Sequence, residues 1–327
     1  MVCKAHLYPL QTPAMWDNSS GAGPANASRC GVDFQAGCCA VAMLYGAAFL
    51  LGLATNAATL GPLVRLVRAG NVLAVYLLGL AASDGLYLLT LPLWAAYAWR
   101  GHAWELGTAA CRAAGFFFYS NMYVSVALLC LISLERCLAV ARPLQSRGLR
   151  SRAGAAAASA TAAATVFVCH VAAPPPPATP PACYDSYPLP PGVARFNYFR
   201  VAAGFGLPAA VLGAAYARIL RGIGASGSRH KVRARRLALA VLGIFLLCFA
   251  PYHGLLLLRT VAASALPLRA LCALERRLHL PFALALSLSS FNSALDPVLY
   301  ALLSRRWGRR HLPGHGGVDG AVATVAR

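Results

Sequence analysis

Apolar residues in this chain gather into long runs, separated by short stretches in which arginine, proline and glycine concentrate. The runs cover roughly residues 37–64, 72–98, 110–140, 154–173, 198–220, 236–262 and 279–303. A helix needs about 20 predominantly apolar residues to cross the hydrocarbon core of a bilayer, and each run reaches that length. The pattern therefore predicts an all-α membrane protein, a bundle of seven transmembrane helices. The fourth run, "AGAAAASATAAATVFVCHVAA", is rich in small residues and only weakly apolar. Taken alone it would pass for a soluble alanine helix, so its assignment rests on topology.

Topology follows from the basic clusters. Arg65 and Arg68, then Arg142, Arg147, Arg150 and Arg152, then "SRHKVRARR" (228–236) and "SRRWGRR" (304–310) fall between or beyond the runs. Seven spans put all four clusters on one side, as expected of cytoplasmic loops, whereas omitting the fourth span would divide them. The expected organisation is an extracellular N-terminal segment (1–36), a seven-transmembrane domain (37–303) and a short cytoplasmic tail (304–327). The stretch "MVCKAHLYPLQTPAMW" lacks the apolar centre of a secretory signal, so the first span is expected to serve as the insertion signal. Two sequons, at Asn18 and Asn26, fit an outward N-terminus as glycosylation sites.

Composition agrees: 59% of residues are hydrophobic and 12% charged, with a mean hydropathy of +0.60, outside the range of soluble domains. A formal charge of +20 would point to nucleic acid in a soluble chain. Here the arginines cluster at span ends, where anionic membrane lipids are the expected partners, and no nucleic-acid partner is expected. Of the 11 cysteines, Cys3, Cys30, Cys111, Cys183 and Cys272 fall on the oxidising side. A Cys111–Cys183 bridge would pin the loop after the fourth span over the mouth of the bundle, and Cys30–Cys272 is the second expected bridge, leaving Cys3 odd. Spacing alone does not fix connectivity, and a packed free thiol is the alternative for each.

A charge inside the bilayer costs at least about 2.5–3.5 kcal/mol on insertion scales, so such groups mark function. Of nine acidic residues only Asp84, Glu135 and Asp296 lie within or at the ends of spans. Asp296 belongs to "SLSSFNSALDPVLY" (287–300), where Pro297 removes a backbone hydrogen bond and frees carbonyls for water or side chains. Taken in chain order, Asn56, "LAASD" (80–84), Cys111, "ERC" (135–137), Pro208 with Tyr216, "CFAPYH" (248–253) and "DPVLY" (296–300) resemble the class A, rhodopsin-like G-protein-coupled receptors. "GNVLAVYLLGLAASD" (70–84), "LTLPLW" (89–94), "FFFYSNMYVSVALLCLIS" (116–133) and "CALERRL" (272–278) further resemble the proton-sensing, lysolipid-associated subgroup.

The resemblance implies a multi-pass plasma-membrane receptor, not an enzyme, that passes an extracellular signal to heterotrimeric G proteins. It implies a pocket lined by Asn56, Asp84, Ser125, Asn292 and Asp296 that can hold a sodium ion at Asp84 and collapses on activation. Most members carry asparagine where this chain has Asp296. Two neighbouring carboxylates cannot both ionise cheaply, so the pair is expected to titrate as one coupled unit and to answer extracellular acid. The subgroup's further acid, a glutamate in the fourth span, is missing. At the cytoplasmic side Arg136 would leave Glu135 on activation to meet Tyr216 and the G protein, with Tyr300 beside it. Pro251 and Phe249 supply the hinge and toggle of the sixth span.

In the outer half, His170, His253 and His279 are candidate proton-responsive groups, because the ordinary range of histidine is physiological. Arginines, Arg200 and Arg259 among them, ring a mouth above aromatic and aliphatic side chains and suit carboxylate or phosphate heads. An oxidised fatty acid or lysolipid therefore competes with protons as the signal, and a small anionic ligand such as a nucleotide is the other receptor reading. The plain alternative is that these arginines pair with Glu105, Asp185 and Glu275. A transporter would show repeats with matching broken helices, and a hydrolase a nucleophile with its base; neither pattern is present.

Overall fold

A computed structural model describes residues 30–141, 150–172, 182–223 and 229–303. Among them seven spans are long and apolar enough to cross a membrane: Cys38–Arg68, Val72–Trp99, Gly107–Ala141, Arg152–Ala172, Ala194–Arg221, Ala234–Ala265 and Leu268–Ala301. The first is α1 (Cys38–Arg68) and the second breaks into α2 (Val72–Leu88) and α3 (Leu91–Trp99). The third and fourth are α4 (Gly107–Ala141) and α5 (Arg152–Ala172). The fifth consists of α6 (Ala194–Val201), a π-helical turn at Ala202–Gly206 and α7 (Leu207–Ile223). The sixth is α8 (Arg229–Ala265), and the seventh divides into α9 (Leu268–Ser289) and α10 (Asn292–Leu303).

Local chemistry sets the breaks. α1 ends where Gly70, at φ +87°, turns the chain so that its N–H and that of Asn71 reach back to Val67 and Leu66 at 3.0 and 3.1 Å. The Asn71 side chain then accepts from the N–H of Ala74 at 3.1 Å and caps α2. The break between α2 and α3 precedes Pro92, which cannot donate to the turn before it and sits in the first turn of α3. α8 runs through Pro251 without interruption.

The core forms around α4. Phe118 packs its ring against Tyr87, Trp94 and Tyr45 at 5.1, 5.4 and 6.1 Å, tying α4 to α2, α3 and α1. The weakly apolar fourth run is a helix at the edge of the bundle, packed on α2 and α4, and Ala155 is the buried residue of its described length. Small side chains suffice there because little of that helix faces the interior.

The seventh span departs from the sequence reading. It starts at Leu268 rather than near residue 279, so that "LRALCALERRL" is helix and not loop. Its inward positions Cys272, Glu275, His279, Phe282 and Leu286 recur at helical spacing. Each polar one is held: Cys272 by a disulfide to Cys30, Glu275 by Arg259, His279 by Tyr187. The outward Arg276 donates to the carbonyl of Cys30 at 3.1 Å. A search for an unbroken apolar run passes over a helix whose inner stripe is polar and paired.

Candidate ligand cavity and signalling switch

One end of the bundle, which carries both bridges formed between described cysteines, opens into a cavity of about 360 Å³. Cys111–Cys183 fastens the loop 182–190 across it, and the N–H of Cys183 donates to the Tyr97 hydroxyl at 3.0 Å. Cys30–Cys272 ties the segment before α1 to α9. Cys39, in the first span, is also disulfide-bonded.

Arg200, on α6, points into this cavity. Its Nε donates to the Tyr123 hydroxyl at 3.1 Å and its Nη2 to the Tyr252 hydroxyl at 2.5 Å. The guanidinium lies over the Tyr119 ring at 4.8 Å and near those of Phe196 and Tyr123, both at 5.7 Å. None of the ion pairs among the described residues involves Arg200. Phenols and aromatic faces orient a guanidinium without neutralising it, so this arginine keeps a full positive charge beside a mostly aromatic chamber. His170 lines the same cavity. Its Nδ1 meets the Val166 carbonyl at 3.0 Å, which makes that nitrogen the N–H, and its buried Nε2 has no partner.

Closer to the mouth the charges are paired. Arg259 donates to Glu275 at 2.7 Å, both nearly fully buried (4% and 1% exposed side chains). It also donates to the Ser186 carbonyl at 3.1 Å and lies between the rings of Tyr187 and Phe282 at 4.6 and 4.5 Å. Asp185 accepts from the Tyr97 hydroxyl at 2.5 Å and meets His102 Nδ1 at 2.6 Å. Burial alone would raise the Asp185 carboxyl, but His102, Tyr97 and His279 outweigh it and hold the group below the usual carboxylate range. His279 meets the Tyr187 hydroxyl at 2.8 Å, and the His102 and His279 rings are 5.2 Å apart. Arg259 is thus committed to Glu275, whereas Arg200 has no acid paired with it among the described residues.

Half-way along the bundle Asp84, Ser125, Asn292 and Asp296 are all buried. The Asp84 and Asp296 carboxyls stand side by side. No other described residue donates to their four oxygens, and among the described residues Ser125 Oγ and Asn292 Nδ2 are likewise unpartnered. Two adjacent buried carboxyls suit a small alkali cation, and Asp84 and Asp296 are the residues that would hold it. The Asn56 amide donates to the carbonyls of Gly52 and Ser293 at 2.9 and 2.8 Å. The Ser293 carbonyl is the one that Pro297, four residues on, cannot serve. With this bond Asn56 repairs the proline break.

At the opposite end Glu135 holds two arginines unequally. Arg136 Nη2 is 3.6 Å away, while Arg150, entering α5, approaches the same Oε1 at 2.7 Å through Nε and 2.6 Å through Nη2. Sequence reasoning placed Arg150 only in a basic cluster; the closer partner of Glu135 lies 15 residues on. Tyr216 packs with Cys137, Ala215, Ile219, Ala234 and Ala238 between α4, α7 and α8, and Tyr300 lies against the main core. Phe249 is fully buried in α8, two residues before Pro251. Its Phe245 neighbour stacks on Phe205, which also stacks on His253, each at 5.1 Å. Asn18, Asn26, Cys3 and the tail from 304 lie outside the described residues.

Comparison with known proteins places this arrangement. The pattern of the 7 transmembrane receptor (rhodopsin family) matches residues 56–300. The chain is 36% identical to Probable G-protein coupled receptor 132 of Homo sapiens over 300 residues, covering 90% of this chain and 78% of that one. It is 34% identical to G-protein coupled receptor 68 of Bos taurus, over 73% and 67% of the two chains. It is 32% identical to a purinoceptor of Homo sapiens, over 80% and 72%. With the pinned loop and the Glu135–Arg136 end of the seven-span bundle within the matched sequence, this chain belongs to the rhodopsin family and is a multi-pass G-protein-coupled receptor of the plasma membrane.

Proposed function

We propose that this receptor binds an extracellular anionic amphiphile, a fatty acid (oxidised or not) or a lysophospholipid, with its head on Arg200 and its chain in the aromatic cavity. The N-terminus and the cavity face outward, and heterotrimeric G protein docks at the Arg136 end. One observation carries the reading: Arg200 is a charged guanidinium held in the cavity by phenols and rings, with no carboxylate paired to it among the described residues. A carboxylate or phosphate completes its coordination and replaces water lost on burial. The volume of about 360 Å³ lies within the range of small-molecule sites. A nucleotide, the other anionic reading, brings several phosphates to a chamber in which the second arginine, Arg259, already holds Glu275.

Activation on this reading moves α8 away from α4 and α7 at the far end, taking Tyr216 and its small-residue packing with it and drawing Arg136 from Glu135 toward the G protein. The test is G-protein activation in cells given linoleate, an oxidised linoleate or lysophosphatidate. Arg200→Gln is expected to lower potency about 10- to 100-fold, the cost of one charge-assisted contact. Unchanged potency removes Arg200 as the anchor.

Protons form a second reading, supported by the adjacent carboxyls of Asp84 and Asp296, to which no other described residue donates. A pair that shares a proton or a sodium ion changes charge as either is exchanged, which biases any equilibrium that opens or closes their pocket. Titrating extracellular pH from about 8 to 6, the range that brackets histidine, should raise G-protein activation in the wild type. Asp296→Asn should flatten the response; a mutant that keeps it excludes the pair as the sensor.

A further inference from the structure

Tyr123 is not among the site residues that the family resemblance implies, yet its hydroxyl bridges the arginine of the cavity and His253 of the hinge helix α8, beside the direct bond of Arg200 to Tyr252 on that helix. Arg200 Nε donates to Tyr123 Oη at 3.1 Å. On the far side Tyr123 Oη is 3.3 Å from His253 Nε2. The direction of that bond is fixed from the other end of the ring. His253 Nδ1 is 2.8 Å from the Phe249 carbonyl, and a carbonyl only accepts, so Nδ1 carries the hydrogen in the neutral ring and Nε2 accepts from the Tyr123 O–H. Arg200, Tyr123, His253 and the Phe249 carbonyl form one directed chain, in which the Tyr123 oxygen accepts once and donates once.

The chain ends where α8 is weakest. Pro251 leaves the Leu247 carbonyl without its ladder bond, and His253 and Phe249 flank that proline. Phe205, in the π-helical turn of the fifth span, stacks on His253 and on Phe245, with rings nearly parallel at 16° and 10°. Movement of His253 is therefore felt on both faces of the hinge. Gly204, in the same turn, lies directly against the Tyr123 ring, where a Cβ would overlap it. That contact sets the ring's place between Arg200 and His253.

We infer that Tyr123 is the positioning residue that couples occupancy of the Arg200 site to the α8 hinge. The inference rests on the anionic-ligand reading above. An anion that claims Arg200 Nε takes the donor from Tyr123, whose hydroxyl then reorients and releases or re-aims His253. Without the Tyr123 hydroxyl the path through His253 is lost, while Arg200 keeps its charge and its bond to Tyr252 as the anchor.

The test separates binding from response. Full-length receptor is expressed in cells, normalised to surface density, and probed with linoleate and lysophosphatidate. In Tyr123→Phe, which keeps the ring and its packing, affinity is expected to stay within about threefold of wild type, because Arg200 still offers its full charge. The maximal response above basal is expected to fall by about fivefold or more, the scale of one shared hydrogen bond. Wild-type response amplitude in Tyr123→Phe overturns the relay, and so does a loss of affinity that fully accounts for the loss of response.

A cycle on basal G-protein activation decides the point without any ligand. Tyr123→Phe, His253→Leu and the double variant are compared: in a relay the double variant matches the single ones, because one link is broken in each. His253→Gln, whose side-chain oxygen accepts from Tyr123, should restore basal activity toward wild type, and Gly204→Ala, which displaces the ring, should mimic Tyr123→Phe. Additive effects in the cycle overturn the relay. Should neither probe bind the wild type, the anionic-ligand reading fails while the cycle still decides whether Tyr123 and His253 act as one unit.

Discussion

Exchanging Arg259 for methionine should destabilise the receptor more than exchanging Glu275 for glutamine, although the two residues form one ion pair. Both side chains are almost wholly buried, 4% and 1% exposed, with Nε 2.7 Å from Oε2. Removing one partner of such a pair costs about 3–5 kcal/mol, mostly through the charge left behind. The residual charges differ in their surroundings. After Glu275→Gln, Arg259 keeps the Ser186 carbonyl and the rings of Tyr187 and Phe282, which places the cost near the lower end, about 3 kcal/mol. After Arg259→Met, Glu275 keeps no donor, since its Oε1 has none already, and the cost moves to about 5 kcal/mol. The double variant Arg259→Met with Glu275→Leu removes both charges and should return to within about 1–2 kcal/mol of wild type. Thermal inactivation of detergent-purified receptor, with surface density in cells as a second readout, orders the four proteins. Additive single effects, or a milder loss in Arg259→Met than in Glu275→Gln, would refute the reasoning.

Three further outcomes follow from the geometry. Arg150→Gln removes the closer partner of Glu135 and should raise basal G-protein activation about two- to fivefold, a modest effect because the Arg150 side chain is 25% exposed. Asn56→Leu strands the Ser293 carbonyl freed by Pro297 and should cost about 1–3 kcal/mol in thermal stability, with no specific effect on a pH response. Asp185→Asn loses bonds made by a charged acceptor to Tyr97 and His102 and should cost about 1.5–3 kcal/mol near neutral pH. Because folding depresses the Asp185 pKa, its contribution is full above the unfolded value of about 4 and is lost as pH falls through the folded one. The stability gap between mutant and wild type should therefore close only in strong acid, not between pH 8 and 6.

Most of the architecture was legible because crossing a bilayer demands apolar length, and the basic clusters then counted the spans. The same rule hid the start of the seventh span, where Cys272, Glu275 and His279 make the inner stripe polar. The functional residues divide along similar lines. Asp84 and Asp296 were legible as costly charges, and the structure sets them together. Asn56 was assigned to the same pocket on resemblance; the fold adds that its amide serves the backbone that Pro297 disturbs. Partnerships across helices left no trace in spacing: Arg259 with Glu275, Arg150 with Glu135, and Tyr123 between Arg200 and His253 each need the fold. The signal for Arg200 was present but undifferentiated, since nothing in the order of residues says which mouth arginine has an acid beside it.

Direct binding of radiolabelled linoleate and lysophosphatidate to purified receptor in nanodiscs tests the central claim, that Arg200 is the anion anchor of an amphiphile site. The account predicts saturable binding of at least one of the two to wild type, weakened about 10- to 100-fold in Arg200→Gln and retained in Arg112→Gln, whose arginine lines the same cavity from an exposed position. Equal binding to wild type and Arg200→Gln, or none to wild type, would contradict it.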